Sequence, residues 1–276
     1  MKTILVPTNF SEAANNATLF AFKLAKKNKA RVILLHAYNL PFIDSQSMSL
    51  NPSVLYETVD LNEFEFFRGN TEKLRRLAES KNVEIGQIYH KLVLGELTVS
   101  INDCIAEEKV DFLVVGTDGG SDWFSKLFGS NADSIIVTTH VPTLIIPRDY
   151  EEEEMLSIGF TTRFREKDKE ALHQTIEFAK KLGLKVICMY AQTDESTREK
   201  ELLKVWEEEF ESDHVDFIIY PSDDVLETIE YFIVHQEIDI LTMVTYEKDF
   251  FTELFTRRFT QKVSHKISIP LLVMHA

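Results

Sequence analysis

The sequence predicts an α/β protein of two tandem domains, each a doubly wound, five-stranded parallel sheet with helices on both faces. Two observations support this prediction. Short apolar runs rich in β-branched residues alternate with segments of helical periodicity, which is typical of parallel strands buried on both faces. The order of these segments then repeats once within the 276 residues. With 44% hydrophobic residues, the chain has enough apolar side chains to build a core in each domain.

Five apolar runs in the first half are predicted as strands. Between the first two, alanine, leucine and phenylalanine recur at helical spacing, so this helix should bury one stripe. Ser11 precedes the helix and can cap its N-terminus. Three more helical segments separate the later strands, and the last of them begins near Gly129. The strand runs are TILVP (3–7), RVILLHA (31–37), IYHKLVL (88–94), DFLVVG (111–116) and TLIIP (143–147).

The second half repeats this order of segments. AKKNKARVILLHAY, which begins at residue 25, matches AKKLGLKVICMYAQ, which begins at residue 179. Near the ends of the copies, VPTLIIP matches IPLLVMH. The five acidic residues of RDYEEEEM (148–155) predict a solvated linker between the copies. We therefore expect domains at 1–148 and 155–276.

Charge and composition narrow the range of functions. A net charge of −15 argues against nucleic acid as a partner and against docking on an anionic membrane. The two cysteines lie in apolar segments and make no disulfide framework. The N-terminal apolar run meets Pro7 too soon for a signal peptide, and no apolar stretch approaches the length of a membrane span. We expect a soluble, cytoplasmic protein.

The run GTDGGSDWFSKLFGS holds four of the nine glycines and begins where the fourth predicted strand ends, at Gly116. Open α/β sheets bind ligands beyond the carboxyl ends of their strands. Gly116 can leave room for a ring or sugar against the backbone, and Gly119 can let the loop fold over it. Gly129 and Ser130 open a helix whose free N–H groups favour an anion, and Asn131 adds a further amide.

The spacing of this run is Gly, two residues, Gly, nine residues, Gly-Ser, and it resembles the nucleotide-binding loop of the universal stress protein family. ILVPTNFSEAA and VILLHAY resemble the first two strands of that family, and the internal repeat resembles its tandem members. The resemblance implies the strand order 3-2-1-4-5, with ATP bound in the cleft above strands 1 and 4. It also implies that Gly116, Gly119, Gly129 and Ser130 line the ribose and phosphates.

The same resemblance assigns the adenine end of the site. It implies that Ala37 faces the base through its backbone, and that Pro7 and Thr8 lie beneath the base. Asn9 departs from the family pattern, because ATP-binding members usually have aspartate there. The change removes a carboxylate that could hold Mg²⁺. Family members pair along their fifth strands, which implies an internal pseudo-dimer through 143–147 and 271–275 and leaves a homodimer of the whole chain open.

The second copy lacks the glycine loop, since the segment after its fourth strand contains no glycine. We place Thr162 where Asn9 lies in the first copy, and we expect the side chains of Tyr246 and Glu247 to occupy space that a nucleotide needs. Arg257 and Arg258 stand near the position of the phosphates, which leaves an anion other than ATP open. The prediction is one nucleotide site per chain.

No Ser/His/Asp, Cys/His or HExxH arrangement can be placed, so we expect no catalytic residues and no metal site. His36 is interpreted as a structural histidine, and Asp118 and Asp122 as loop residues that form turns. The predicted role is a stress-response switch that binds ATP and is recognised by an unidentified protein partner. Two alternatives remain: an adapter of the same fold that binds no nucleotide, and a slow metal-dependent ATPase.

Overall fold

The computed structural model describes six stretches of the chain, at 1–40, 52–118, 130–150, 155–193, 198–246 and 269–275. Contacts within the chain divide it into two compact units, Met1–Gly116 and Thr117–Ala276. Strands alternate with helices in both units, which confirms the α/β class. Within the six stretches, no helix combines the length and the apolar character needed to cross a bilayer.

The first unit begins with alternating strands and helices at β1 (Thr3–Pro7), α1 (Glu12–Asn28), β2 (Arg31–Tyr38), α2 (Pro52–Ser80), β3 (Ile88–Leu94), α3 (Leu97–Glu108) and β4 (Phe112–Thr117). The strands form a parallel sheet of order β3-β2-β1-β4, as predicted for the first four strands. β1 is buried along its whole length. β3 lies at an edge, where Tyr89 is 47% exposed, so the expectation of strands buried on both faces is wrong for this strand.

Helix α1 has the cap and the buried stripe that its sequence predicts. The Ser11 hydroxyl accepts a hydrogen bond from the Ala14 N–H at 3.3 Å, and Lys29 ends the helix in the left-handed conformation. The stripe residues are all buried against the sheet. They are Ala17, Phe20, Ala21, Leu24 and Ala25. This packing fixes the start of α1 directly after the carboxyl end of β1.

The second unit continues the alternation with α4 (Ser130–Thr138), β5 (Thr143–Pro147), β6 (Ser157–Thr161), α5 (Glu166–Leu182), β7 (Lys185–Gln192), α6 (Arg198–Glu209), β8 (Asp216–Pro221), α7 (Val225–His235), β9 (Ile240–Thr245) and β10 (Leu271–His275). Strands β6 to β10 are parallel and have the order β8-β7-β6-β9-β10, which is the predicted 3-2-1-4-5 pattern. Like β3, β8 is an edge strand and is only half-buried.

The last strands of the two copies pair with each other. β5 and β10 run antiparallel, with Leu144 opposite Leu272 at the centre of the pairing. The predicted pairing of 143–147 with 271–275 is therefore confirmed. Because of it, the compact-unit boundary falls after Gly116, whereas the predicted domain boundary falls at 148–155. Part of that predicted linker, 151–154, lies outside the described residues.

The two copies share a polar clamp at the start of their first strands. Asp111 Oδ2 accepts hydrogen bonds from the backbone N–H groups of Lys2 at 2.7 Å and Thr3 at 2.9 Å. Asp239 Oδ2 does the same for Leu156 and Ser157, at 2.8 and 2.9 Å. Each aspartate precedes the strand that pairs with the clamped one, so it joins two neighbouring strands of the sheet.

We expect Asp111→Ala to lower the free energy of unfolding by about 2 kcal/mol, because it removes two charge-assisted hydrogen bonds from backbone donors. Denaturant unfolding measures this change. The control is Asp103→Ala, a substitution at an exposed position of α3, which should change stability by less than about 0.5 kcal/mol. Equal stability of the two variants would show that the clamp contributes nothing.

Candidate functional site

Five of the nine predicted nucleotide residues lie in the first unit, at the carboxyl edge of its sheet. Pro7 ends β1, and Thr8 and Asn9 follow it. Ala37 lies near the end of β2 and Gly116 near the end of β4. Because β1 pairs in parallel with both β2 and β4, the topology brings these residues to one edge. Open α/β sheets bind their ligands at this edge.

A tight turn carries the chain from β1 into α1. The Thr8 N–H donates to the Leu35 carbonyl at 2.8 Å, and the Thr8 hydroxyl accepts from the Phe10 N–H at 3.0 Å. Phe10 has a φ of 60°, in the left-handed region that bulky residues rarely adopt. Asn9 is exposed, and its Oδ1 accepts from the Ser11 N–H at 3.0 Å. The amide oxygen of Asn9 therefore helps to shape the turn.

The backbone of Ala37 is suited to binding the edge of a planar base. Leu35 accepts a hydrogen bond from the chain that follows β1, so its backbone groups face that strand. Backbone groups of alternate residues in a strand point to the same side. Ala37 thus presents its N–H and C=O on the β1 side, beyond Pro7, where β1 has ended. A neighbouring donor and acceptor of this kind can bind the donor and acceptor of an adenine edge.

Gly116 is required by packing within the first unit. A Cβ atom at this position would lie 2.3 Å from the carbonyl oxygen of Ala13 and 2.8 Å from the amide nitrogen of Ala14. The sequence interpretation assigned that missing side chain to a ring or sugar of the ligand. The interpretation is wrong about this space, because the first turn of α1 occupies it. Contact between the Gly116 backbone and a ligand stays a prediction.

His36 is held in place by its neighbours on the opposite face of β2 from Ala37. Its Nδ1 lies 2.7 Å from the Thr8 carbonyl oxygen, and its Nε2 lies 3.4 Å from a carboxylate oxygen of Glu63. The ring also packs against Phe10 at a centroid distance of 5.8 Å. The side chain is buried and both ring nitrogens have partners, as expected for a structural histidine.

The side chain of Tyr38, at the end of β2, forms a hydrogen bond with helix α2. Its hydroxyl donates to Asp60 Oδ1 at 2.7 Å. This hydrogen bond needs the phenolic proton, and it is the main cause that raises the pKa of Tyr38 to about 12. Tyr38 therefore stays neutral, and the bond stays intact, over the whole physiological pH range.

Phe10 is a shaping residue that the sequence analysis did not single out, although a signal for it exists. A Thr-x-Phe sequence follows the first strand of each half, at Thr8–Phe10 and at Thr162–Phe164. Phe164 also has a positive φ, of 52°, and its N–H donates to the Thr162 hydroxyl at 2.8 Å. Its ring packs against Trp206, with centroids 5.3 Å apart. The two copies thus share this turn.

The shared turn corrects the predicted alignment of the copies. Thr162 was expected to correspond to Asn9, but its N–H bonds the neighbouring strand in the same way as that of Thr8. Thr162 is therefore the counterpart of Thr8, and Arg163 is the counterpart of Asn9. The repeated Thr-x-Phe sequence could have revealed this register.

The glycine loop lies mostly beyond what the structure describes. Gly119 and Gly129 are outside the described residues, and so are the side chains of Ser130 and Asn131. The backbone of α4 begins at Ser130, the position predicted for the start of the helix. The hydroxyl of Thr117, at the end of β4, is buried and finds no hydrogen-bond partner among the described residues. A ligand oxygen could satisfy this group, which the sequence analysis did not select.

The described carboxylates near this edge are not grouped as metal ligands. Asp118 lies 3.8 Å from the Arg148 guanidinium in an exposed ion pair, and Asp122 falls outside the described residues. Across the described part of the chain, no three His, Cys, Asp or Glu side chains come together in a way that could hold a metal ion. Asn9 offers only an amide, so the described edge holds no ready ligand set for Mg²⁺.

Comparisons with known proteins agree with this architecture. Residues 1–147 match the model of the universal stress protein family. The chain is 30% identical over 156 residues to universal stress protein MJ0577 of Methanocaldococcus jannaschii, a match that covers 53% of this chain and 95% of that protein. It is 25% identical over 152 residues to universal stress protein MJ0531 of the same organism, covering 55% of this chain and 85% of that protein.

Two solved structures resemble the chain over its whole length. A universal stress protein from Archaeoglobus fulgidus superposes with a TM-score of 0.67 at 16% identity, covering 99% of this chain and 98% of that one. A putative universal stress protein from Pseudomonas aeruginosa gives a TM-score of 0.59 at 12% identity, covering 100% of this chain and 93% of that one. At these identities the likeness shows the fold.

Proposed function

Because the chain belongs to the universal stress protein family, we propose that its first half binds ATP and that a protein partner recognises the nucleotide-bound surface. The observation that carries the proposal is the spacing of Gly116, near the end of β4, and of Gly119, Gly129 and Ser130, which follow that strand. Gly119 allows the loop to fold closely over a ligand, and Gly129 and Ser130 open a helix, where unpaired N–H groups favour phosphate.

The adenine end of the proposed site uses the edge of the first-unit sheet. The N–H and C=O of Ala37 bind the edge of the base, and Pro7 and Thr8 support its face. The hydrogen bond from the Thr8 N–H to β2 supports this assignment, because it positions the turn beside Ala37. Gly116 and Gly119 lie along the ribose and the first phosphates.

The phosphate end of the proposed site relies on backbone dipoles. Gly129, Ser130 and Asn131 contribute the N–H groups at the start of α4, and the hydroxyl of Thr117, which has no partner within the described stretches, adds a donor. Asn9 does not supply a carboxylate for Mg²⁺, so the proposal places binding on the chain's own donors. We assign the site to binding rather than to turnover.

The proposed switch acts through residues 117–128. Contacts with ATP set the conformation of this segment, and the partner recognises the resulting surface. Hydrogen exchange with and without ATP tests this step. Protection of 117–128 by ATP supports the switch, and equal exchange in both states contradicts it.

The binding site is tested by what the purified protein retains and by substitution of Gly129. We expect denatured protein to release adenine nucleotide on chromatography, and Gly129→Leu to weaken ATP binding at least about 100-fold, or about 2.7 kcal/mol, because the side chain blocks the phosphates. The control is Gly86→Leu, since a Cβ atom at Gly86 has no atom within 4 Å. If the purified wild-type protein releases no nucleotide and does not bind added ATP, the adapter alternative is favoured. If Gly129→Leu binds ATP as tightly as the wild type does, the loop assignment is rejected.

A further inference from the structure

The second unit contains a cavity at the carboxyl edge of its own sheet. Its volume is about 420 Å³, within the range of about 300–1,000 Å³ that is usual for small-molecule sites. It opens beside the Thr-x-Phe turn, at Thr162 and Arg163. Tyr246 forms part of its wall.

The inner wall of the cavity is apolar. Met189 of β7 and Met243 of β9 line it with almost fully buried side chains, which we call its base, and Ile229 and Val225 of α7 line it as well. The two methionines and Ile229 belong to the hydrophobic core between the sheet and α7. This base can bury the apolar body of a ligand, and methionine side chains adapt readily to its shape.

The mouth of the cavity is polar and cationic. Arg163 and Arg165 are exposed there, and they occupy the positions that Asn9 and Ser11 hold in the first unit. The guanidinium of Arg165 lies 4.6 Å from the centre of the Tyr246 ring. Two arginines and no carboxylate occur among the described residues that line the cavity. In a chain with a net charge of −15, such a local excess of positive charge favours an anion.

A buried carboxylate holds the backbone that carries these arginines. Asp168 is fully buried, and its Oδ2 accepts hydrogen bonds from the Thr162 hydroxyl at 2.8 Å, the Arg163 N–H at 2.9 Å and the Arg165 N–H at 3.2 Å. The donors of the turn thus stabilise the buried carboxylate of Asp168. The turn is fixed before any ligand arrives, which lowers the entropic cost of binding.

We propose that this cavity binds a small organic acid, with its apolar body against Met189 and Met243 and its carboxylate on Arg165. The proposal does not depend on ATP binding in the first half. The cavity differs from a nucleotide site because Val244 stands at the position of Gly116 and no glycine loop follows β9. The guanidinium at the mouth suits a ligand with a negative charge at one end, and the apolar base suits a ligand whose remaining part is apolar.

The experiment compares 2-naphthoate with 2-naphthamide, which has the same rings and no charge. The full-length protein is labelled with ¹³C at its methionine methyl groups and titrated with each compound, and calorimetry gives the affinity. We expect naphthoate to shift the signals of Met189 and Met243 and to bind at least about tenfold more tightly than the amide. Signals of Met1 and Met155 serve as internal references.

Arg165→Gln tests the anchor for the carboxylate, and Arg76→Gln, at an exposed position of α2, is the matched control. Arg165→Gln should weaken naphthoate at least about tenfold and leave the amide unchanged, while Arg76→Gln should change neither. Unfolding curves confirm that both variants are folded. The proposal is overturned if naphthoate leaves Met189 and Met243 unshifted, if the amide binds equally well, or if the two variants behave alike.

Discussion

Gly116→Ala is expected to lower the free energy of unfolding by about 3 kcal/mol, the upper part of the range for overpacked sites. The added methyl group would lie 2.3 Å from the Ala13 carbonyl oxygen. The backbone atoms of α1 cannot rotate away from this clash as a flexible side chain could, so the whole helix must move away from β4. The buried stripe of α1 then loses part of its packing against the sheet. Denaturant unfolding of the purified variant measures the loss.

Gly69→Ala is the matched control for this prediction. Gly69 lies inside α2, and a Cβ atom there has no neighbour within 4 Å. Alanine should therefore stabilise the protein by about 1 kcal/mol through its better helix propensity. The opposite signs of the two Gly→Ala changes are the expected result. A Gly116→Ala variant as stable as the wild type would show that α1 does not pack against β4 as described.

Lowering the pH from about 7.5 to about 4.5 is expected to remove about 2.5 kcal/mol of stability through His275 alone. Burial lowers the pKa of His275 to about 4, and His140 adds a smaller effect. In the unfolded chain the pKa of histidine is about 6.5. Between these two values the unfolded state binds a proton that the folded state does not, so stability falls as the pH falls through this window.

The effect is isolated by comparing the wild type with His275→Leu. Carboxylates also titrate over this range, but they do so in both proteins, so the difference between the two pH dependences reports His275. Among the described residues, the buried Nε2 atom of His275 finds no hydrogen-bond partner, so leucine should not cost a polar contact with them. An identical loss of stability in both proteins would place the acid sensitivity elsewhere.

The alternation of strands and helices followed from patterns that parallel sheets impose on a sequence, whereas the strand order came from the resemblance to the universal stress protein family. The apolar run at β1 and the stripe from Ala17 to Ala25 report burial directly, and the structure confirms both. The partial exposure of β3 was missed because burial was predicted from the apolar run of each strand alone, although the order 3-2-1-4-5 already places the third strand at an edge of the sheet. Exposure of Tyr89 is the consequence.

The functional site was harder to predict from the sequence than the fold was, for two physical reasons. A glycine signals a close approach but does not identify the approaching group, so Gly116 was assigned to a ligand when α1 fills the space. The size of a cavity depends on how side chains pack in three dimensions. The second-unit cavity, at whose wall the Arg165 guanidinium lies over the Tyr246 ring, was therefore not predicted from the sequence.

The central claim is that the chain has one nucleotide site, located in its first half. Calorimetric titration of nucleotide-free, full-length protein with ATP tests it most directly. We predict one equivalent of ATP bound per chain, and binding at least about 100-fold weaker in the Gly129→Leu variant. Two equivalents per chain, or no heat of binding at any ATP concentration, would contradict the account.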